Sequence, residues 1–237
     1  MITKIIHQTW KTRELPGHLQ DWHNVVKELH PGWDVKLWTD EDNLKLVKEN
    51  FPHLLEIYKS LEYNIMRADM IRYMYMFTYG GYYLDLDYEL FISFDKEINN
   101  TGLLLPLARE KENDGKTIIG NCIFGSTPQH PFWKDVLSDL HNNPPLKKIR
   151  NKISILKLTG PEFITSVYFK NPEKYNGTML ARNIFHPPSE TSQRSNYKNM
   201  LIKSGTRGIH HCEGSWLDTK NPFKYVMSKI KFRPFCF

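Results

Sequence analysis

The chain has 237 residues, of which 40% are hydrophobic and 24% charged, enough to bury the core of one globular domain. Its formal charge of +6 comes with no recognised nucleic-acid motif, so nucleic-acid binding is not expected. No apolar run approaches the roughly 20 residues of a membrane span, no signal-peptide pattern opens the chain, and Cys122, Cys212 and Cys236 show no metal-type spacing; a reducing, cytoplasmic setting is expected.

Residues 4–10 read as a buried strand. Pro16 opens a helix over 17–29, and Pro31-Gly32 break it. Trp33 to Trp38 alternates with period 2 and predicts a second strand; Thr39 or Asp40 caps a helix over 41–50, and another follows over 53–61. Residues 63–79 are apolar on almost every side of a helix, which predicts burial, and Gly80-Gly81 stop it. An apolar strand then runs into Asp85-Leu86-Asp87. Strand-like runs at 102–108 and 117–125 flank a polar loop; helices are predicted at 129–141 and 161–169, and strands near 179–185 and 207–212. Alternating strands and helices imply an α/β layered sheet, with ligands at the carboxyl ends of strands.

The charge is uneven. Lys147, Lys148, Arg150, Lys152 and Lys157 form one basic stretch without an acid, and Lys220, Lys224, Lys229, Lys231 and Arg233 form a second. In the second the bases interleave with aromatic residues, which fits either a tail lying on anionic lipid or an element packing on the core. Residues 1–219 are therefore read as one domain and 220–237 as a basic aromatic tail.

In a strand, positions i and i+2 share a face, so Asp85 and Asp87 are expected to converge while Leu84 and Leu86 turn into the core. Paired carboxylates with room left for water and phosphate oxygens suit Mg²⁺ or Mn²⁺. A calcium loop starting at Asp85 fails, because Leu90 stands where a glycine must turn the chain and Lys96 where a glutamate must bind. Within the apolar helix, Asp69 and Arg72 share a stripe with Ile65 and Met76, and Arg67 is close. They form either an internal ion pair or one wall of a cleft.

The run Arg67-Ala68-Asp69-Met70-Ile71-Arg72-Tyr73, then Tyr79-Gly80-Gly81-Tyr82-Tyr83-Leu84-Asp85-Leu86-Asp87, resembles the signature of the DXD-sugar glycosyltransferases. The opening Lys4-Ile5-Ile6-His7-Gln8-Thr9-Trp10 and the late Gly208-Ile209-His210-His211-Cys212-Glu213-Gly214-Ser215-Trp216 fit the same pattern, in order. The resemblance is to family 32, with its yeast-type initiating α-1,6-mannosyltransferases, and more distantly to the clostridial glucosylating toxins. It implies a GT-A-type nucleotide-sugar-binding fold, a mixed central sheet flanked by helices. The implied reaction moves a hexose from a nucleoside-diphosphate sugar to a glycan or glycolipid hydroxyl, with retention and with Mn²⁺ or Mg²⁺. UDP-sugars are the preferred donors and GDP-mannose the second choice.

The resemblance also implies roles. Asp87 would bind the metal directly, and Asp85 would hold the ribose or share the metal. Asp69 and Arg72 would hold ribose and donor-sugar hydroxyls, with Arg67 in the same donor-binding set. His7, Gln8, Thr9 and Trp10 would meet the nucleotide, Trp10 by stacking on the base or lining the sugar pocket. Asn121 resembles a polar residue near the sugar, and Thr159-Gly160-Pro161 a helix-starting turn by the donor or acceptor. Ser215 and Trp216 would touch the diphosphate. For a third metal contact His210, His211 and Glu213 stay open, His211 being preferred for its offset to Gly214. No residue demands the role of a carboxylate nucleophile, so a front-face reaction guided by the leaving phosphate is expected. Two other readings compete: a non-catalytic sugar-nucleotide-binding protein, and a phosphatase of the haloacid dehalogenase type, whose motif needs Thr or Val where Glu89 stands.

Overall fold

The computed structural model describes residues 1–96, 102–110, 117–145, 149, 154–187 and 196–213. The 220–237 tail, Cys236 and all of the first basic stretch except Lys157 lie outside them. Among the described residues no helix is long and apolar enough to cross a membrane.

Strand β1 (Ile5–Thr9) pairs in parallel with β2 (Asp34–Trp38) and, on its other side, with β3 (Gly81–Leu84). Parallel neighbours need crossovers. Helix α1 (Gly17–Leu29) supplies the first; α2 (Asp40–Asn50), a 3₁₀ turn at Pro52–Leu54, α3 (Leu55–Ser60) and α4 (Asn64–Thr78) supply the second. Thr39 caps α2 in a capping box with Asp42, which resolves the choice between Thr39 and Asp40.

Along β3 the side chains alternate between two cores. Tyr82 and Leu84 join Ile6, Val26, Trp33 and Phe94 on the α1 side, and Tyr83 joins Tyr73, Phe124 and Trp133 on the α4 side. Helix α4 is buried on nearly all sides, as its composition predicts. It ends at two left-handed glycines, Gly80 at φ 64° and Gly81 at φ 84°; a Cβ on Gly81 would lie 2.5 Å from the Ile5 carbonyl oxygen. Only glycine lets the chain turn there and lie against β1.

Beyond Leu84 the strand does not continue. Asp85 to Asp87 form a turn, with the Tyr88 N–H donating to the Asp85 carbonyl at 3.2 Å, and β4 (Tyr88–Leu90) leaves the main sheet. The aspartates therefore sit at a junction between two sheets, not on one strand face as expected. The other half of the sheet is antiparallel: β5 (Leu103–Arg109), β6 (Ile118–Ile119) and β7 (Ile123–Ser126), with β7 on β3, β6 on β5, and β5 on β7. The single strand predicted over 117–125 is thus two strands. At the break Gly120 packs on the His186 imidazole, where a Cβ would come within 2.5 Å of Cε1, and its N–H donates to the Pro106 carbonyl at 2.7 Å.

Helix α5 (Pro131–Asn142), short α6 (Ile155–Leu158) and α7 (Pro161–Lys170) complete the α4-side core. After α8 (Pro172–Tyr175), the strand predicted near 179–185 is β8 (Thr178–Leu180), parallel to β5, followed by α9 (Arg182–Phe185), which buries Phe185. Helix α10 (Tyr197–Lys203) then leads to β9 (Gly208–His210), which pairs antiparallel with β4, Tyr88 opposite His210. This strand is shorter than predicted, since Cys212 turns at φ 50°.

Candidate active site

Because β1 and β3 are parallel, their carboxyl ends open on the same edge, where ligands of α/β sheets gather. A cleft of about 860 Å³ lies there, lined by Thr9, Trp10, Arg67, Asp69, Arg72, Asp85, Asp87, Asn121, His210 and Glu213 among others.

At its floor three ligating atoms, from Asp85, Asp87 and His210, lie within 4.8 Å of one another. His210 Nε2 is 2.9 Å from Asp87 Oδ1 and 3.7 Å from Asp85 Oδ2. The Glu213 N–H donates to Asp87 Oδ2 at 2.9 Å. Burial alone would raise the Asp87 carboxyl, but His210 and that backbone N–H outweigh it and bring its pKa down to about 2. Burial disfavours the His210 imidazolium, yet Asp87 and the nearby Cys122 and Cys212 raise its pKa well above the ordinary histidine value. Two carboxylates and an imidazole, open toward a cleft, are a donor set that fits Mn²⁺ and, with its oxygens, Mg²⁺.

Beside this group Arg72 lies between two acids, Nη2 3.5 Å from Asp69 Oδ1 and Nη1 3.4 Å from Asp85 Oδ1, and it packs over the Tyr83 ring at 4.6 Å. It also donates to the carbonyls of Ala68, at 3.1 Å, and Asn121. Asp69 accepts from Asn121 Nδ2 at 2.9 Å and from Thr159 Oγ1 at 2.7 Å. Burial raises its carboxyl to about 6 despite these partners. The Asp69–Arg72 pair is thus both internal and cleft-lining: the two readings of the sequence describe one arrangement. Asp85 receives the Tyr83 hydroxyl, and burial raises its carboxyl against the pull of Arg72.

The opening motif divides. Thr9 and Trp10 line the cleft; the Thr9 hydroxyl donates to the Trp38 carbonyl at 3.2 Å and accepts from Asn43 Nδ2 at 3.0 Å. His7 is fully buried among Trp38, Tyr75 and Tyr79, with Nε2 donating to the Gly80 carbonyl at 2.9 Å and Nδ1 accepting from Trp38 Nε1 at 3.0 Å. Burial lowers its pKa to about 4, so it stays neutral. Gln8 is equally buried and accepts from His23 Nδ1 at 2.6 Å. Both residues stand behind the cleft wall, because along β1 the chain reaches the open edge only at Thr9.

Arg67 sits at the cleft wall, bound to the Leu61 carbonyl at 2.6 Å and to Asn64. Gly160 and Pro161 line the cleft next to Thr159. Of the late motif, His210 meets the aspartates, whereas the His211 side chain turns away to Glu89 at 3.1 Å and stacks on Trp22. Glu213 offers its backbone N–H to Asp87, while its carboxylate lies 2.8 Å from His18 Nε2. Ser215 and Trp216 lie outside the described residues. The sequence reading missed Tyr83, although its place two residues before Asp85 puts it on the same face, and it missed Cys212, whose Sγ backs His210 Nδ1 at 3.1 Å.

Residues 16–103 match the family described as the glycosyltransferase sugar-binding region containing the DXD motif. This region belongs to that family. The DXD region's relatives include the mannosyl phosphorylinositol ceramide synthase CSH1 of Saccharomyces cerevisiae, 35% identical over 75% of this chain and 45% of that protein. Inositol phosphoceramide mannosyltransferase 3 of Schizosaccharomyces pombe is 34% identical over 95% of this chain and 59% of that protein. The chain therefore spans about half the length of the relatives it matches. The solved PaToxG glycosyltransferase shares the fold, with a TM-score of 0.55 over 99% of this chain and 85% of that one at 15% identity. The chain has the mixed, helix-flanked sheet of the GT-A type that the resemblance implied.

Proposed function

We propose that this chain is a metal-dependent glycosyltransferase that moves mannose from a nucleoside diphosphate to a hydroxyl of a glycolipid of the inositol phosphoceramide kind. The observation that carries the reading is the convergence of Asp85, Asp87 and His210 beside Asp69, Arg72 and Asn121 on one cleft floor. The printed names of the relatives support mannose as the sugar and a phosphoinositol sphingolipid as acceptor. They favour GDP-mannose over UDP-sugars as the donor.

Asp85, Asp87 and His210 would hold the divalent ion, which supplies Lewis-acid stabilisation to a departing diphosphate. Arg72, itself buried, adds a fixed positive charge between this group and Asp69. Asp69, oriented by Asn121 and Thr159, suits vicinal hydroxyls, since an ionised carboxylate accepts from two donors at once. These commitments leave it poorly placed as a nucleophile, which supports front-face transfer with retention. Trp10, one residue beyond β1, would offer its ring to the base.

A donor panel tests the reading: release of nucleoside diphosphate from GDP-mannose and from UDP-hexoses, with Mn²⁺ and an inositol phosphoceramide acceptor. Mannosyl transfer that Asp87→Ala abolishes, with an α-mannosyl product by NMR, is the expected result. Release from UDP-hexoses alone rejects the donor, an inverted product rejects retention, and binding without turnover leaves a sugar-nucleotide-binding protein.

A further inference from the structure

The limb that carries His210 is anchored before the site by Ile209, buried with Phe91 and Leu201, and by the Phe91 N–H on the Arg207 carbonyl at 2.8 Å. Among the described residues its ladder is the three-residue pairing with β4, and a two-stranded pair is marginal alone. Past His210 the His211 N–H donates to the Asp87 carbonyl at 2.9 Å, and the chain then turns through Cys212 in a left-handed conformation that disfavours side chains bearing a Cβ. That turn aims the Glu213 N–H at Asp87.

Helix α1 grips the limb on both sides of the turn. Trp22 stacks on His211 with ring centroids 4.5 Å apart and planes 5° from parallel. One helical turn earlier, His18 donates from Nε2 to Glu213 Oε1 across 2.8 Å and meets the Trp22 ring edge-on. The His18 and Glu213 side chains are 54% and 37% exposed, so the clamp adds little to the core.

We propose that Trp22 and His18 are positioning residues for the metal end of the cleft: they lock His211 and Glu213 so that His210 Nε2 and the Glu213 N–H stay aimed at Asp87. The proposal rests on reading Asp85, Asp87 and His210 as a divalent-cation site. Partners that orient a metal's ligands typically change affinity 10–100-fold when removed.

The test compares the full chain with Trp22→Ala, Trp22→Phe and His18→Ala, using Mn²⁺ binding followed by electron paramagnetic resonance and amide hydrogen exchange of residues 207–213. Trp22→Ala is expected to weaken Mn²⁺ binding about tenfold and to speed exchange of that segment at an unchanged melting temperature, with Trp22→Phe restoring both. His18→Ala, at an exposed position, gives a smaller change in the same direction. Unchanged exchange and Mn²⁺ affinity in both alanine variants overturn the clamp. A wild-type chain that takes up no Mn²⁺ overturns the metal reading instead, and the exchange measurement then decides the clamp by itself.

Discussion

Asn121 holds both members of a buried ion pair: its side-chain amide donates to Asp69 at 2.9 Å, and its carbonyl accepts from Arg72. The Asp69 and Arg72 side chains are only 4% and 5% exposed, so neither charge can fall back on water. Removing one partner of such a pair costs about 3–5 kcal/mol. Asp85 remains beside Arg72, which places Asp69→Ala near the lower end, about 3 kcal/mol. Urea unfolding measures it; a loss below about 1 kcal/mol would show that water or Asp85 already compensates Arg72.

Gly81 is a steric requirement. At φ 84° with the Ile5 carbonyl 2.5 Å from where a Cβ would sit, Gly81→Ala must displace β1 or β3. The left-handed cost of about 1–2 kcal/mol adds to the clash, and a loss of at least about 3 kcal/mol is expected. A variant as stable as wild type would mean that β1 and β3 do not approach as described.

Acid sensitivity follows from buried histidines. Burial lowers His7 and His23 from 6.5 to about 4. Between those values the unfolded chain binds protons that the folded chain refuses, so their contribution is complete above 6.5 and is lost as pH falls through 4. Asp69 works the other way: its carboxyl, raised from 3.8 to about 6, withdraws stability as pH rises through that range. His23→Gln isolates one histidine. Its melting temperature should fall less steeply than wild type between pH 7 and pH 4.5 on thermal scans; equal slopes would contradict the neutral buried state.

His210 and His211 separate the metal contact from the clamp. His210→Ala is expected to weaken Mn²⁺ binding at least tenfold, and more than His211→Ala does. Titration calorimetry reads the difference, and a larger loss from His211→Ala would reverse the assignment.

Much of this was legible in the residues. Helix α4 and its Gly-Gly stop can be read because apolar residues cover nearly every side of it, and Asp69, Arg72, Asp85 and Asp87 stand out by charge in apolar surroundings. What escaped depends on distant partners. At the break between β6 and β7 Gly120 packs on the His186 imidazole, a distant partner that no local pattern encodes. Whether His210 or His211 meets the aspartates is set by the β4–β9 register, with Tyr88 opposite His210. His7 and Gln8 share with Thr9 and Trp10 the motif that closes the first strand, where the resemblance implies the nucleotide, yet only the last two reach the cleft.

Every step of the proposed reaction depends on Asp85, Asp87 and His210 together holding a divalent cation. Crystals of the chain soaked with Mn²⁺ and GDP, measured for anomalous scattering at the manganese edge, test it directly. One strong peak within bonding distance of all three side chains, lost in Asp87→Asn, is expected. A peak elsewhere in the cleft, or none at saturating Mn²⁺, would contradict it.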